Sequence, residues 1–131
     1  MKDGKVKILV VDDDYDDYIL IAEALTKRID NIDIRNEENG NTALKYLKGM
    51  KARPDLIVLD VNMPVMDGRQ TLVKLQEDKE LKSIPVVVLT TSDSDVDKKF
   101  FEKKNIEMLV KPWNSKEIQQ TAEKLLHLVR K

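Results

Sequence analysis

Leu56-Ile57-Val58-Leu59-Asp60-Val61-Asn62-Met63-Pro64 opens as an unbroken apolar run and breaks off at a carboxylate. A strand with one wet face alternates apolar and polar residues, whereas a strand covered on both faces reads as continuous apolar sequence. Three more runs end in the same way: Ile8 to Val11 at Asp12, Val86 to Leu89 at Thr90, and Met108 to Val110 at Lys111. In an open parallel sheet, function gathers in the crevice beyond the carboxyl ends of the strands. Two carboxylates, a hydroxyl and an ammonium are therefore expected to meet at one edge.

Between these runs the sequence takes on helical period. Asp16 to Ile29 carries Ile19, Ala22, Leu25 and Ile29 on one stripe, Asn41 to Lys48 carries Ala43, Leu44 and Leu47, and Arg69 to Asp78 carries Leu72 and Leu75. Ser92 to Asp95 offers helix caps before Val96 and Phe100, and Ser115 to Arg130 closes the chain with Ile118, Ala122, Leu125 and Val129. With Ile32 and Ile34 as a weaker second strand, five strand and helix units alternate. Right-handed crossovers then predict an α/β, doubly wound, five-stranded parallel sheet of order 2-1-3-4-5, with its switch point between strands 1 and 3. Asp12, Asp13 and Asp60 flank that point.

Composition bounds the function. A chain of 131 residues fits a single domain, 1–131, able to bury roughly two thirds of its unfolded surface. With 23 Lys and Arg against 24 Asp and Glu, the net charge of −1 gives no global reason to expect nucleic acid or anionic membrane as a partner. The absence of cysteine rules out a disulfide framework and a thiol nucleophile, and suits a reducing cytoplasm. The apolar segment before the first aspartates is too short for a signal peptide or membrane span.

Three carboxylates in one place repel and raise one another's pKa unless a cation neutralises them. A hard divalent metal, magnesium or manganese, is the expected ligand of Asp12, Asp13 and Asp60, because such ions take one or two carboxylates, keep waters and complete their shell with phosphoryl oxygens. Lys111 supplies a compact positive charge for a phosphoryl oxygen and Thr90 a hydroxyl donor. With no histidine or cysteine near the strand ends, zinc chemistry is disfavoured. Asp14, Asp16 and Asp17 read as residues that cap the first helix and favour its positive end. His127 reads as a solvated surface residue.

Ile8 to Asp13, Leu56 to Gly68, Val88-Leu89-Thr90 and Val110-Lys111-Pro112 together resemble the receiver domain of two-component response regulators, a flavodoxin-like fold. The resemblance spans essentially the whole chain. Asp12 to Asp17 with Leu89 to Ser92 is most similar to small stand-alone regulators, including those paired with bacterial phytochrome kinases. The resemblance implies that Asp60 accepts a phosphoryl group from a kinase phosphohistidine, so that the protein is a phosphoacceptor rather than an enzyme in the ordinary sense. It implies metal binding by Asp13, Asp60 and the backbone carbonyl of Asn62, with Asp12 acting through metal-bound water. It also implies pairing of Lys111 with the phosphoryl group, movement of Thr90 toward it, and a cis Lys111–Pro112 bond.

Two departures bear on output. Met108 stands where the family usually has Tyr, Phe or His, and Lys103 to Glu107 is shorter and more charged than the usual connection. The resemblance further implies a histidine kinase or histidine phosphotransfer protein as donor, a downstream protein target, phosphorylation-dependent homodimer formation, and no output domain, direct nucleic-acid contact or membrane contact. For the kinase face we expect Trp113 and an outward stripe of Asp17, Leu20 and Ala24; for output, an outward Phe101 beside Met108.

Two other classes compete. A haloacid-dehalogenase-like phosphatase also opens with Asp-x-Asp after a strand, as Asp12 to Asp14 does, but there the last acidic motif follows the lysine, whereas Asp60 precedes both Thr90 and Lys111. A receiver kept only as a binding module, without phosphorylation, would not need Asp12, Asp13, Asp60, Thr90 and Lys111 together.

Overall fold

The computed structural model describes residues 5–49 and 53–129. Its elements run β1 (Val6–Val11), α1 (Tyr15–Arg28), β2 (Ile32–Glu37), α2 (Gly40–Lys48), β3 (Leu56–Leu59), α3 (Gly68–Glu77), β4 (Val86–Thr90), α4 (Asp95–Lys103), β5 (Glu107–Val110) and α5 (Ser115–Val129). The final residue of the expected last helix, Arg130, lies outside the described residues. All strand pairs are parallel and their order is β2-β1-β3-β4-β5, as the alternation of runs and helices predicted.

Successive strand side chains point to opposite faces, so each run feeds two cores. Leu9, Val11, Ile57, Leu59 and Val88 pack under α2, α3 and α4 with Leu44, Leu47, Leu72, Leu75 and Phe101. Ile8, Val10, Leu56, Val58, Val87 and Leu89 pack under α1 and α5 with Ile21, Leu25, Ala122, Leu125 and Leu126. β5 is an edge strand with a less apolar environment: Glu107 and Val110 are exposed and Met108 and Leu109 only half-buried.

Local chemistry fixes the helix starts. Asp14, Asn39, Asp67 and Ser94 each accept a backbone N–H from the first turn that follows, and Asp67 forms a reciprocal capping box with Gln70. Asn114 does the same for α5 through the Glu117 N–H at 2.9 Å. The charged connection after α4 closes in a regular way. Asn105 adopts φ 60, its N–H donates to the Glu102 carbonyl, and the Ile106 N–H donates to the Phe101 carbonyl. This is a Schellman ending in which asparagine takes the left-handed position usually held by glycine.

Three packing expectations are corrected. α1 buries Ile21, Ala24 and Leu25, while Ile19 and Ala22 are half-buried; the helix has apolar residues all around its middle, and its contact with α5 selects the face. Ala24 thus leaves the outward stripe, although Leu20 stays exposed. α4 turns Asp97 and Phe101 inward, one helical turn apart, and leaves Val96 exposed and Phe100 half-buried. Phe101, fully buried at 0% exposure, is core and not an outward output residue. Val96 and Phe100 are the apolar pair at i, i+4 spacing, whereas the residue one turn before Phe101 is a carboxylate. Asp97 is tolerated there because Arg69 Nη1 donates to it at 3.1 Å and Ser92 Oγ at 2.9 Å.

Candidate functional site

The strand register builds the site. Val11 pairs with Leu59 and Thr90 with Val110, so the residues that follow leave neighbouring strands side by side. The ladder continues one step further: the Asp12 N–H donates to the Glu37 carbonyl at 3.0 Å, that of Asp60 to Val11 at 2.9 Å, and that of Lys111 to Thr90 at 2.9 Å. These bonds hold Asp12, Asp60 and Lys111 before any side-chain contact is made.

Asp60 and Asp12 are buried and each has one oxygen fixed by the backbone. Asp60 Oδ1 accepts the Val61 N–H at 2.8 Å, and Asp12 Oδ1 accepts that of Asp14 at 2.9 Å. The second oxygens face Lys111 Nζ, at 3.4 Å from Asp60 Oδ2 and 2.8 Å from Asp12 Oδ2. Lys111 Nζ makes a third contact, 2.8 Å to Asp17 Oδ2 on the first turn of α1. Burial pushes the Asp12 carboxyl up from 3.8 to about 6, while the Lys111 and Asp14 hydrogen bonds pull it down. Burial works against the Lys111 ammonium, yet its hydrogen bonds to Asp12 and Asp17 and the charge of Asp60 hold its pKa above the usual lysine value.

Asp13 is exposed, and one carboxylate oxygen from each of Asp12, Asp13 and Asp60 lies within 4.8 Å of the others. Counting Asp17, the site holds four carboxylates against one ammonium, which contacts three of them, Asp12, Asp17 and Asp60. An all-oxygen donor set with excess negative charge suits a hard divalent ion.

The remaining expected residues divide. Thr90 is buried on β4 and its hydroxyl accepts the Ser92 N–H at 3.2 Å. Asn62 is exposed just beyond Asp60. Met108 pairs with Val88, two positions below the Thr90 level, and packs into the core around Phe101. Trp113 is exposed on the loop before α5. The Lys111–Pro112 bond is trans, since no peptide bond among the described residues is cis. Trans is the intrinsically favoured isomer, and here the backbone bond to Thr90 and the three carboxylates already direct Lys111 inward.

Two glycine and loop features secure the approach to Asp60. The Gly68 N–H donates to the Val61 carbonyl at 2.8 Å, and the glycine sits where a Cβ would collide with the Asp60 carbonyl oxygen. Val65 takes φ 67, and the Met66 N–H closes a three-residue turn onto the Pro64 carbonyl at 2.7 Å. Sequence reading missed Asp17 as a partner of Lys111 and missed the Arg69, Ser92 and Asp97 cluster. Its only signal was an acidic residue in the first turn of each of two helices, which capping already explains.

The response regulator receiver domain matches residues 8–123. Over 123 residues the chain is 32% identical to the probable methanogenesis regulatory protein FilR2 of Methanothrix harundinacea, covering 90% of this chain and 79% of that protein. It is 40% identical over 96 residues to response regulator Rcp1 of Synechocystis, covering 69% of this chain and 65% of Rcp1; the Mn(2+)-bound form of Rcp1 superposes with a TM-score of 0.82 at 31% identity, over 92% of this chain and 91% of that one. The phosphorylated cyanobacterial phytochrome response regulator RcpA superposes with a TM-score of 0.89 at 32% identity, over 97% of this chain and 95% of that one. The fold, the strand-end site and these likenesses agree, and the chain belongs to the response regulator receiver domain family.

Proposed function

We propose that Asp60 is the phosphoacceptor of this receiver and takes its phosphoryl group from the phosphohistidine of a histidine kinase or phosphotransfer protein. One observation carries the reading: Asp60 Oδ1 is pinned by the Val61 N–H while Oδ2 faces Lys111 Nζ at 3.4 Å. A carboxylate oxygen of Asp60 forms the new P–O bond as the donor's P–N bond breaks, and the departing imidazole nitrogen keeps the electron pair. Lys111 then has a phosphoryl oxygen to pair with, and the Thr90 hydroxyl a second. Such transfer asks the protein mainly for positioning and for neutralisation of charge.

Asp12, Asp13 and Asp60 would hold a divalent ion, magnesium or manganese, with the Asn62 backbone carbonyl as a further donor. That ion supplies charge neutralisation to the transferring group. The manganese-bound Rcp1 and the phosphorylated RcpA support both parts of this reading. We assign to the donor-facing surface Leu20 and Trp113, both exposed beside the site. No helix among the described residues is long and apolar enough to cross a membrane, and we place the protein in the cytoplasm.

The test is incubation with a small phosphodonor and divalent metal, followed by mass spectrometry. One base-labile phosphoryl group on Asp60 is expected, absent in Asp60→Asn. Modification of Asp60→Asn at the same peptide, or an unmodified wild type beside a receiver that the donor does phosphorylate, refutes the assignment. Leu20→Glu and Trp113→Ala should slow transfer from the partner kinase alone; equal slowing with the small donor removes them from the docking surface.

A further inference from the structure

Lys111 divides its ammonium among three carboxylates, and one of them stands outside the acidic nest. Asp17 Oδ2 lies 2.8 Å from Nζ, as near as Asp12 Oδ2 and nearer than Asp60 Oδ2 at 3.4 Å. The Asp17 side chain is 38% exposed, against 10% for Lys111, 6% for Asp12 and 8% for Asp60. Asp17 is thus the solvent-side lip of a buried cage, and it comes from a helix while the other three come from strand ends. An ammonium has three hydrogens to share among these three carboxylates.

The consequence lies in competition. A divalent ion in the nest needs oxygens of Asp12 and Asp60, the two residues that Lys111 also holds. If Lys111 had no other partner, the ion would have to displace it from both, leaving an ammonium in a mostly buried place with no anion. Asp17 offers that partner without belonging to the nest.

We propose that Asp17 is a positioning residue for Lys111: it anchors the ammonium on the α1 side, so that Asp12 and Asp60 can turn to the divalent ion while Lys111 stays in the site. The proposal rests on reading the nest as a divalent-metal site. Asp17 touches neither the ion nor the phosphoryl group; it acts through Lys111, and removing it lets Lys111 sit more firmly on Asp12 and Asp60.

The test is a double-mutant cycle read by calorimetric titration with magnesium and with manganese chloride, on wild type, Asp17→Ala, Lys111→Met and the double variant. Asp17→Ala is expected to weaken metal binding about five- to tenfold in the wild-type background and by less than about twofold when Lys111 is methionine. Equal weakening in both backgrounds means that Asp17 acts by its own charge on the ion, and overturns the proposal. So does unchanged affinity in Asp17→Ala. If wild type binds neither metal, the nest reading itself fails, a separate result. An independent measurement needs no Lys111 variant. The side-chain 15N resonance of Lys111 should persist through the metal titration in wild type and be lost to solvent exchange in Asp17→Ala. Persistence in both proteins overturns the proposal.

Discussion

Gly68→Ala tests how the receiver site is held. A Cβ on Gly68 would stand 2.8 Å from Val61 Cα, 3.0 Å from the Asp60 carbonyl carbon and closer still to its oxygen, all of them backbone atoms that cannot swing aside. Ordinary contact begins near 3.4 Å, so α3 must retreat from the Asp60–Val61 peptide by about 1 Å. That retreat breaks the 2.8 Å bond from the Gly68 N–H to the Val61 carbonyl and pulls on Leu72 and Leu75, both buried in the core. Overpacking of this kind costs about 1–3 kcal/mol, and alanine's better helix propensity returns at most about 1 kcal/mol. A misplacement of about 1 Å at reacting groups is worth on the order of a hundredfold in rate. We therefore expect phosphorylation by a small donor, followed by mass spectrometry, to fall by about ten- to a hundredfold, with a clear loss in thermal stability. Gly49→Ala is the control: its Cβ would meet only the Tyr46 and Lys45 carbonyl oxygens at 3.7 and 3.8 Å, and both stability and rate should hold. A Gly68→Ala protein that is phosphorylated at the wild-type rate would refute the reasoning.

Phe101→Ala should cost about 3–5 kcal/mol in urea denaturation, since it empties a fully buried site between α4 and the sheet; a loss below about 1 kcal/mol would restore it to the surface. Asp97→Ala removes the carboxylate that Ser92 Oγ donates to and one of the two that pair with Arg69, and should cost about 1–3 kcal/mol by the same assay, whereas an unchanged midpoint would make the cluster incidental. The Asp12 carboxyl, raised from 3.8 to about 6, favours its protonated form in the folded chain. In metal-free protein its contribution to stability is therefore present below pH 3.8 and lost as pH rises through about 6. A proton and a divalent ion compete for Asp12, so metal affinity should run the other way, weakening about tenfold between pH 7.5 and pH 5. A flat calorimetric affinity over that range refutes the assignment.

The strands, their order and the meeting of Asp12, Asp60 and Lys111 at the strand ends were legible in the sequence because each depends on local information. A run buried on both faces is apolar throughout, and in a parallel sheet its last residue marks where the crevice begins. The caps at Asp14 and Ser94 were legible for the same reason, since a cap and the N–H it accepts are three residues apart. The faces of α1 and α4 were not. Apolar residues surround the middle of α1, so only the packing of α5 chooses Ile21, Ala24 and Leu25. Asp97 can face inward only because Arg69 and Ser92, both outside the helix, donate to its carboxylate. Asp17 read as an ordinary first-turn acid, and only the folded chain brings Lys111, 94 positions away, to its carboxylate. Burial pattern is written along the chain, but the choice of face and the pairing of charges are set by residues distant in sequence. Those become neighbours only when the sheet and its five helices close.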